Sequence, residues 1–391
     1  MSLPAPDHQK NRPPKAADFD PSQLSLLVFG PGHGEAQVLI FPDGSLGVID
    51  GCREPNNGDP TGRGDPVREF INDWFKGQAN PRLRFVALTH PHCDHYAGLG
   101  RLIEAYSPMI LELWRAQISD HWGDAYVEYR DKIEPNQDKL PTADDLTGLE
   151  RVFGAFSARR CKTKVLGAPK LMFSGTFCGH RLSIRCVAPS LNDIDRTQQE
   201  LFDRIHNKTT KARGRFDPNH TSAALVIEWH RSRILLGGDL LCGNKHLEGW
   251  TAASPLIAEK KFQVVKIAHH ASNAAQDFDL LRRLDPKLSI VTPFKHAGGK
   301  SPPRPQDIKD LLNISKVAIT SPPKWPSDPQ NPQPCEPIPQ RHNAHSHNHI
   351  LKIEPPPRMN STVCVSLNPN GKITKFLLTG EARRYQMTST Q

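Results

Sequence analysis

The chain has 391 residues, a formal charge of +9 and 37% hydrophobic residues. That length buries a large core in one enzyme-sized domain, and no stretch approaches the ~20 apolar residues that cross a bilayer. So large a positive excess is unusual for an enzyme of small neutral substrates and points toward a polyanion.

Residues 1–23 are polar and Pro-rich, lack the apolar core of a secretory signal, and read as a flexible tail. The main domain is expected over 24–320. Its segment Leu46-Gly47-Val48-Ile49-Asp50-Gly51 predicts a strand ending on a carboxylate, with Asp50 placed to orient a ligand or a metal-bound water. Leu83 to Leu88 predicts a buried strand, and Leu99 to Ala105 opens a helix. Between them lies Thr89-His90-Pro91-His92-Cys93-Asp94-His95, three imidazoles and a carboxylate within six positions. At a strand end, side chains fan toward one point instead of alternating across a sheet. His90 and His92 face one way and suit one ion, while Asp94 and His95 reach a second.

Residues 104–180 read as a mostly helical insertion beside the site, with helical spacing over Leu111–Ile118 and Leu146–Phe156. A basic loop follows, with Arg204, Lys208, Lys211, Arg213 and Arg215 ahead of Asn219 and His220, and Arg159, Arg160, Lys162 and Lys164 form a second basic run. These are the groups expected to meet a polyanionic substrate. Arg233 to Leu236 predicts a strand running into Gly237-Gly238-Asp239, where one carboxylate bridges two cations. Val264 to Ile267 predicts another, running into His269-His270-Ala271-Ser272. One of these two histidines is expected to bind metal and the other to contact substrate or donate a proton; the sequence leaves open which.

After Thr320 the chain turns Pro-rich and then His-rich, over 321–349, and reads as a loop. Strand candidates follow at Ile350–Ile353, Thr362–Leu367 and Lys372–Leu378, the last two about an Asn368-Pro369-Asn370-Gly371 turn. Residues 350–391 are thus expected to finish the second sheet as a β-hairpin. The eight cysteines follow no framework, and Cys93 sits inside the histidine motif, so a reduced, cytoplasmic protein is expected.

Taken in order, Asp50, Thr-His-Pro-His-Cys-Asp-His, Gly-Gly-Asp and His-His-Ala-Ser resemble the metallo-β-lactamase superfamily. The nearer likeness is to the soluble domain of the DNA-uptake protein ComEC. It rests further on the Gly-x-Gly turn at Gly30–Gly34, on Asn219-His220-Thr221-Ser222 and on the strand Lys316–Thr320. The resemblance implies an α/β (α+β) fold, an αββα sandwich of two sheets built from about 24–100 and 180–320. It implies two divalent ions, zinc or manganese, on His90, His92, Asp94, His95, Asp239 and a later histidine. His220 falls where hydrolases of the superfamily outside the ComEC group carry a further ligand, and is either that or a loop histidine. Asn219 and Ser222 are assigned with the basic loop to substrate. Two departures are Ala271 for the family's glycine and Ser301-Pro302-Pro303 for its His-Pro, leaving His296 as the substitute histidine.

The resulting expectation is a nuclease acting on DNA in preference to RNA through a hydroxide activated by two metals, with Asp50, Asp94, His269 and His270 in the reaction. A larger DNA-processing or defence assembly is the expected protein partner. Two alternatives stand beside it: a hydrolase of a small lactone, lactam or thioester, and a catalytically idle module that binds nucleic acid.

Overall fold

The computed structural model describes residues 3–9, 12–30, 34–52, 65–116, 152, 154, 161–207, 217–243, 247–257, 259–294, 301–323, 325, 328, 330–335 and 361–387. Within them, apolar side chains fall on both faces of most strands, as in sheets covered on each side. The first sheet holds β1 (Asp7–Gln9), β2 (Leu24–Phe29), β3 (Ala36–Ile40), β4 (Leu46–Ile49), β5 (Leu83–Leu88), β6 (Glu112–Ala116) and β7 (Lys162–Leu166). The second holds β8 (Lys170–Phe177), β9 (His180–Ala188), β10 (Ala224–Trp229), β11 (Ser232–Leu236), β12 (Val264–Lys266), β13 (Leu288–Val291), β14 (Lys316–Ile319) and β15 (Gln333–Pro334). The last strands are β16 (Thr362–Leu367), β17 (Ile373–Thr379) and β18 (Arg383–Gln386). Among the described residues the sheet orders are β1-β17-β16-β2-β3-β4-β5-β6-β7 and β15-β18-β14-β13-β12-β11-β10-β9-β8.

Strand alternation sorts the side chains into three layers of core. Leu24, Leu26 and Val28 of β2 meet Ile234 and Leu236 of β11 and Val264 of β12 between the sheets. Leu27 and Phe29 point outward, to a core shared with Phe70, Ile71, Leu102 and Ile103 of the helices Pro66–Phe75 and Leu99–Tyr106. Leu235 and Val265 likewise join Trp250, Leu280 and Ile308 of the helices Gly249–Ile257, Phe278–Leu284 and Pro305–Leu312. The result is the αββα sandwich, and each large side chain so buried contributes about 1.5–3 kcal/mol. The helix Pro66–Phe75 starts where Asp65 accepts the Arg68 N–H at 3.0 Å, with Pro66 in the first turn.

The strands β4 through β7 pair in parallel, as do β11 through β14. Parallel strands end along one rim, so Asp50, His90, Asp239 and His269 follow the C-terminal ends of β4, β5, β11 and β12. The fold puts the chemistry on the rim.

Several expectations are corrected. Glu112–Ala116 is a strand, not helix, with Leu113, Trp114 and Ala116 buried. Five residues are too few to distinguish the two periods, and pairing between β5 and β7 decides it. Phe85 stacks on Trp114 there, with ring centroids 3.7 Å apart. The insertion 104–180 is also less helical than expected, since β7 and β8 fall within it. Of 146–156, only Val152 and Gly154 are described, both helical. The C-terminal hairpin joins the first sheet, with β16 antiparallel to β2, and only β18 reaches the second, beside β14. The N-terminal tail is partly docked: β1 pairs with β17, and Phe19 packs edge-on against Phe70. Part of the Pro-rich segment forms β15, the edge strand of the second sheet, where the N–H that Pro334 lacks is tolerated. The His-rich tract and the strand expected at 350–353 lie outside the described residues. No described helix is long and apolar enough to cross a membrane.

Candidate metal centre

The loop after β5 turns at once into a short helix, Cys93–Tyr96, whose N-cap is His92. Gly98, at φ +82°, separates it from the helix Leu99–Tyr106. This puts His90 and His92 on one arm and Asp94 and His95 on the next. Asp239 comes in from β11, and His270 from β12. Among the described residues two groups of donor atoms result, each with all members within 4.8 Å: His90, His92 and Asp239; and Glu35, His95, Asp239 and His270. Asp239 belongs to both. Asp94 lies beside the second, its Oδ2 3.0 Å from His270 Nε2 and 3.9 Å from His95 Nε2.

Three of the imidazoles, those of His95, His90 and His270, are held from behind. Asp50 Oδ2 lies 2.8 Å from His95 Nδ1, and Asp50 is itself fixed by the Thr89 N–H and hydroxyl, both at 2.7 Å. The Ser222 hydroxyl accepts the Asp239 N–H at 2.8 Å and lies 3.2 Å from His90 Nδ1. His270 Nδ1 donates to the Thr292 carbonyl at 2.8 Å. In each case the bond at Nδ1 leaves Nε2 to face the centre, where it offers its lone pair once the ring is neutral. His90 Nε2, His95 Nε2 and Asp239 Oδ1 are buried and make no hydrogen bond with any described group. His95 Nε2 and Asp239 Oδ1 are 3.3 Å apart but not aligned to bond. Buried polar atoms left this way are costly unless something else satisfies them. Mixed imidazole and carboxylate donors suit a divalent cation, so the residues present fit one.

The charges are strongly coupled. Burial would raise the Asp94 and Asp239 carboxyls, but His95 above all holds both well below the ordinary carboxylate range. Burial would lower His95, but Asp239, Asp50 and Asp94 hold it well above the ordinary imidazole value. His270 is raised in the same way by Asp239 and Asp94 against its burial. His90 and His269 are lowered, chiefly by burial. Burial also raises Asp50, despite the His95 charge beside it.

The pair left open in sequence is separated by geometry. His270 is in the cluster; His269 is part-exposed and outside both groups, its Nε2 3.2 Å from Asn219 Nδ2 and its Nδ1 2.8 Å from Ser272 Oγ. His269, His270 and Ala271 all have positive φ, between 48° and 63°. That turn explains the glycine of the family pattern, since the left-handed region disfavours a Cβ. His220 sits on the turn Pro218–Thr221 and joins neither donor group. Ser222, expected at the substrate, is fully buried behind His90 and Asp239. Arg204 lies in the helix Leu191–Asn207, while Lys208, Lys211, Arg213, Arg215 and His296 lie outside the described residues. Two residues escaped sequence reasoning: Glu35 and Lys266, both fully buried and paired with each other through Lys266 Nζ and Glu35 Oε1. The available signal was a charged residue in or beside each of two largely apolar strands.

The metallo-beta-lactamase superfamily model matches residues 59–293, more than half of the chain. The chain belongs to the metallo-beta-lactamase superfamily. Similar solved structures within this fold include a metallo hydrolase from the archaeon Ignicoccus hospitalis, at 13% identity and TM-score 0.37, covering 75% of this chain and 94% of the other. The metallo-beta-lactamase fold protein YhfI from Bacillus subtilis matches at 12% identity and TM-score 0.39, over 76% of this chain and 96% of its own. Zinc-bound PqqB from Methylobacterium extorquens matches at 13% identity and TM-score 0.29, over 61% and 71%. No sequence among the curated proteins matches the chain. As a superfamily member with this cluster, the chain has the makings of a metal-dependent hydrolase.

Proposed function

We propose that the chain is a phosphodiester hydrolase of the ComEC type that acts on nucleic acid, DNA in preference to RNA. The observation that carries this reading is the sharing of Asp239 by two donor groups. A carboxylate common to two cation positions is how paired divalent ions clamp a phosphoryl group. His90, His92 and Asp239 would hold one ion, and His95, Asp94, Asp239 and His270 the other. Such ions, zinc or manganese, supply Lewis acidity that activates water and offsets charge on the phosphoryl oxygens.

The protein's own groups then divide the work. Asp50 and Ser222 hold the ligand rings at their far nitrogens. His269, outside the donor groups and gripped by Asn219 and Ser272, is the group assigned to protonate the leaving oxygen. Burial lowers its pKa, and an arriving phosphate would raise it again. The net charge of +9 supports a polyanionic substrate. All eight cysteines are free thiols, which supports a reduced, cytoplasmic setting. A partner assembly in DNA processing or defence belongs to the same proposal, and co-purification from the host tests it.

The deciding experiment is degradation of labelled single- and double-stranded DNA with zinc, with manganese and with chelator, beside a His92→Ala/Asp94→Ala variant. Metal-dependent cleavage that disappears in the variant supports the proposal. One observation favours a small-molecule hydrolase instead: Lys162 and Lys164 of the second basic run are engaged by Glu112, at 3.4 and 2.7 Å. Lactone or thioester turnover without DNA cleavage, by metal-loaded protein, would establish that reading.

A further inference from the structure

We infer that Glu35, with Lys266, is a positioning residue that sets the metal centre from behind and is not itself a ligand; this rests on the metal-site reading above. Its carboxylate lies within reach of His95, Asp239 and His270, which would make it a fourth donor by distance alone. The bonds point elsewhere. Oε1 is taken by Lys266 Nζ and by Gln37 Nε2, the latter at 3.2 Å, and Oε2 by the Thr292 hydroxyl. Glu35 approaches His270 at Nδ1, 3.6 Å away, whereas Nε2 is the atom that faces Asp94 and Asp239. A carboxylate on the Nδ1 side of a ring orients it and strengthens Nε2 as a donor; it does not share the cation.

The same two residues reach the turns that carry Asp94, Asp239 and His270. The Glu35 N–H donates to the Asp94 carbonyl at 2.9 Å. Lys266 Nζ donates to the Gly238 carbonyl at 3.1 Å, fixing the turn that presents Asp239. Thr292 bonds Glu35 through its hydroxyl and accepts the His270 Nδ1 proton on its carbonyl. Two ligand-bearing turns, those of Asp239 and His270, therefore close on the side chains of one buried ion pair, both members 0% exposed, and the turn of Asp94 closes on the backbone of Glu35. A buried pair is a poor way to gain stability compared with apolar packing, and specifying a geometry is a better-founded use.

The test compares Glu35→Gln, Lys266→Met and the double variant Glu35→Gln/Lys266→Met with wild type. Zinc per chain is measured after dialysis, zinc affinity by competition with a chromophoric chelator, and chemical unfolding with chelator present. Glu35→Gln leaves a buried ammonium without its counter-charge, so the double variant serves where the single one folds poorly. The expected result is that the double variant unfolds at the wild-type midpoint and retains the wild-type zinc count, but binds zinc about 10–100-fold more weakly. The His270 Nδ1 proton, seen by ¹H–¹⁵N NMR in the zinc-loaded wild type, is expected to shift or exchange in the variant. Loss of one zinc per chain would make Glu35 a ligand and overturn the proposal. Wild-type affinity in the double variant would reduce the pair to a structural element and overturn it equally. A wild-type protein that takes up no zinc defeats the metal-site reading itself, and this inference with it.

Discussion

Asp50 lies behind His95, its Oδ2 2.8 Å from the ring Nδ1, so that the opposite nitrogen faces Asp239. Asp50 also has φ +59°, a backbone region that Asn tolerates better than most residues. Asp50→Asn is therefore expected to fold, yet one amide oxygen cannot serve His95, the Thr89 hydroxyl and the Thr89 N–H together. Zinc affinity should fall about 10–100-fold, as equilibrium dialysis would register. An unchanged affinity would mean that His95 is oriented by other means.

Ser222 is expected to act on stability and metal binding, not on substrate contact. Ser222→Ala leaves the buried Asp239 N–H without its acceptor, a loss of about 1–3 kcal/mol in urea unfolding with chelator present. If unfolding were unaffected and only the KM for substrate moved, the buried placement of this hydroxyl would be refuted.

Asp239 and His92 should give different metal counts. Asp239 is common to both donor groups, whereas His92 belongs to one. Asp239→Ala should deplete both ions under dialysis, and His92→Ala one, by elemental analysis of the purified proteins. Equal losses from the two variants would argue against two separable positions.

Asp65 supplies the pH dependence. Burial pushes its carboxyl up to about 6, above the ordinary value of about 3.9. A raised acid favours the folded state while protonated, so its contribution is full below about pH 4 and is lost as the pH climbs through 6. Asp65→Asn cannot ionise and still caps the helix Pro66–Phe75. Its stability relative to wild type should rise between pH 4 and pH 7, by at most about 2 kcal/mol. A difference that stays flat across that range would show that Asp65 titrates normally.

Ala271, at φ +63° and fully buried, balances opposing effects. Glycine there would relieve roughly 1–2 kcal/mol of left-handed strain. It would also forgo a buried methyl, about 0.8 kcal/mol, and add about 0.5–1 kcal/mol of chain entropy. Ala271→Gly should thus unfold within about 1 kcal/mol of wild type. Ala271→Val, branched at Cβ, should be clearly destabilised in the same assay.

Much of the candidate site was legible because its donor-type residues gather at strand ends, and strand ends are marked locally. The run from His90 to His95, the Gly-Gly-Asp at 237–239 and the histidine pair at 269–270 each follow an apolar strand, and all three turns meet in the structure. The strand Glu112–Ala116 was not legible, since its five residues carry no period of their own and its neighbours β5 and β7 define it. The hairpin Thr362–Thr379 was read correctly as a hairpin and assigned to the wrong sheet, because a turn motif says nothing about which distant edge it will join.

The sequence by itself determined the superfamily, the two-sheet architecture and the turns that carry the chemistry, because these rest on residue type, spacing and apolar alternation over short spans. Only the tertiary structure decided that His270 and not His269 faces Asp239, that Ser222 stands behind His90, and that Glu35 and Lys266 meet. Each of these depends on which atoms of remote strands end up within about 3 Å, which packing settles and local pattern does not carry.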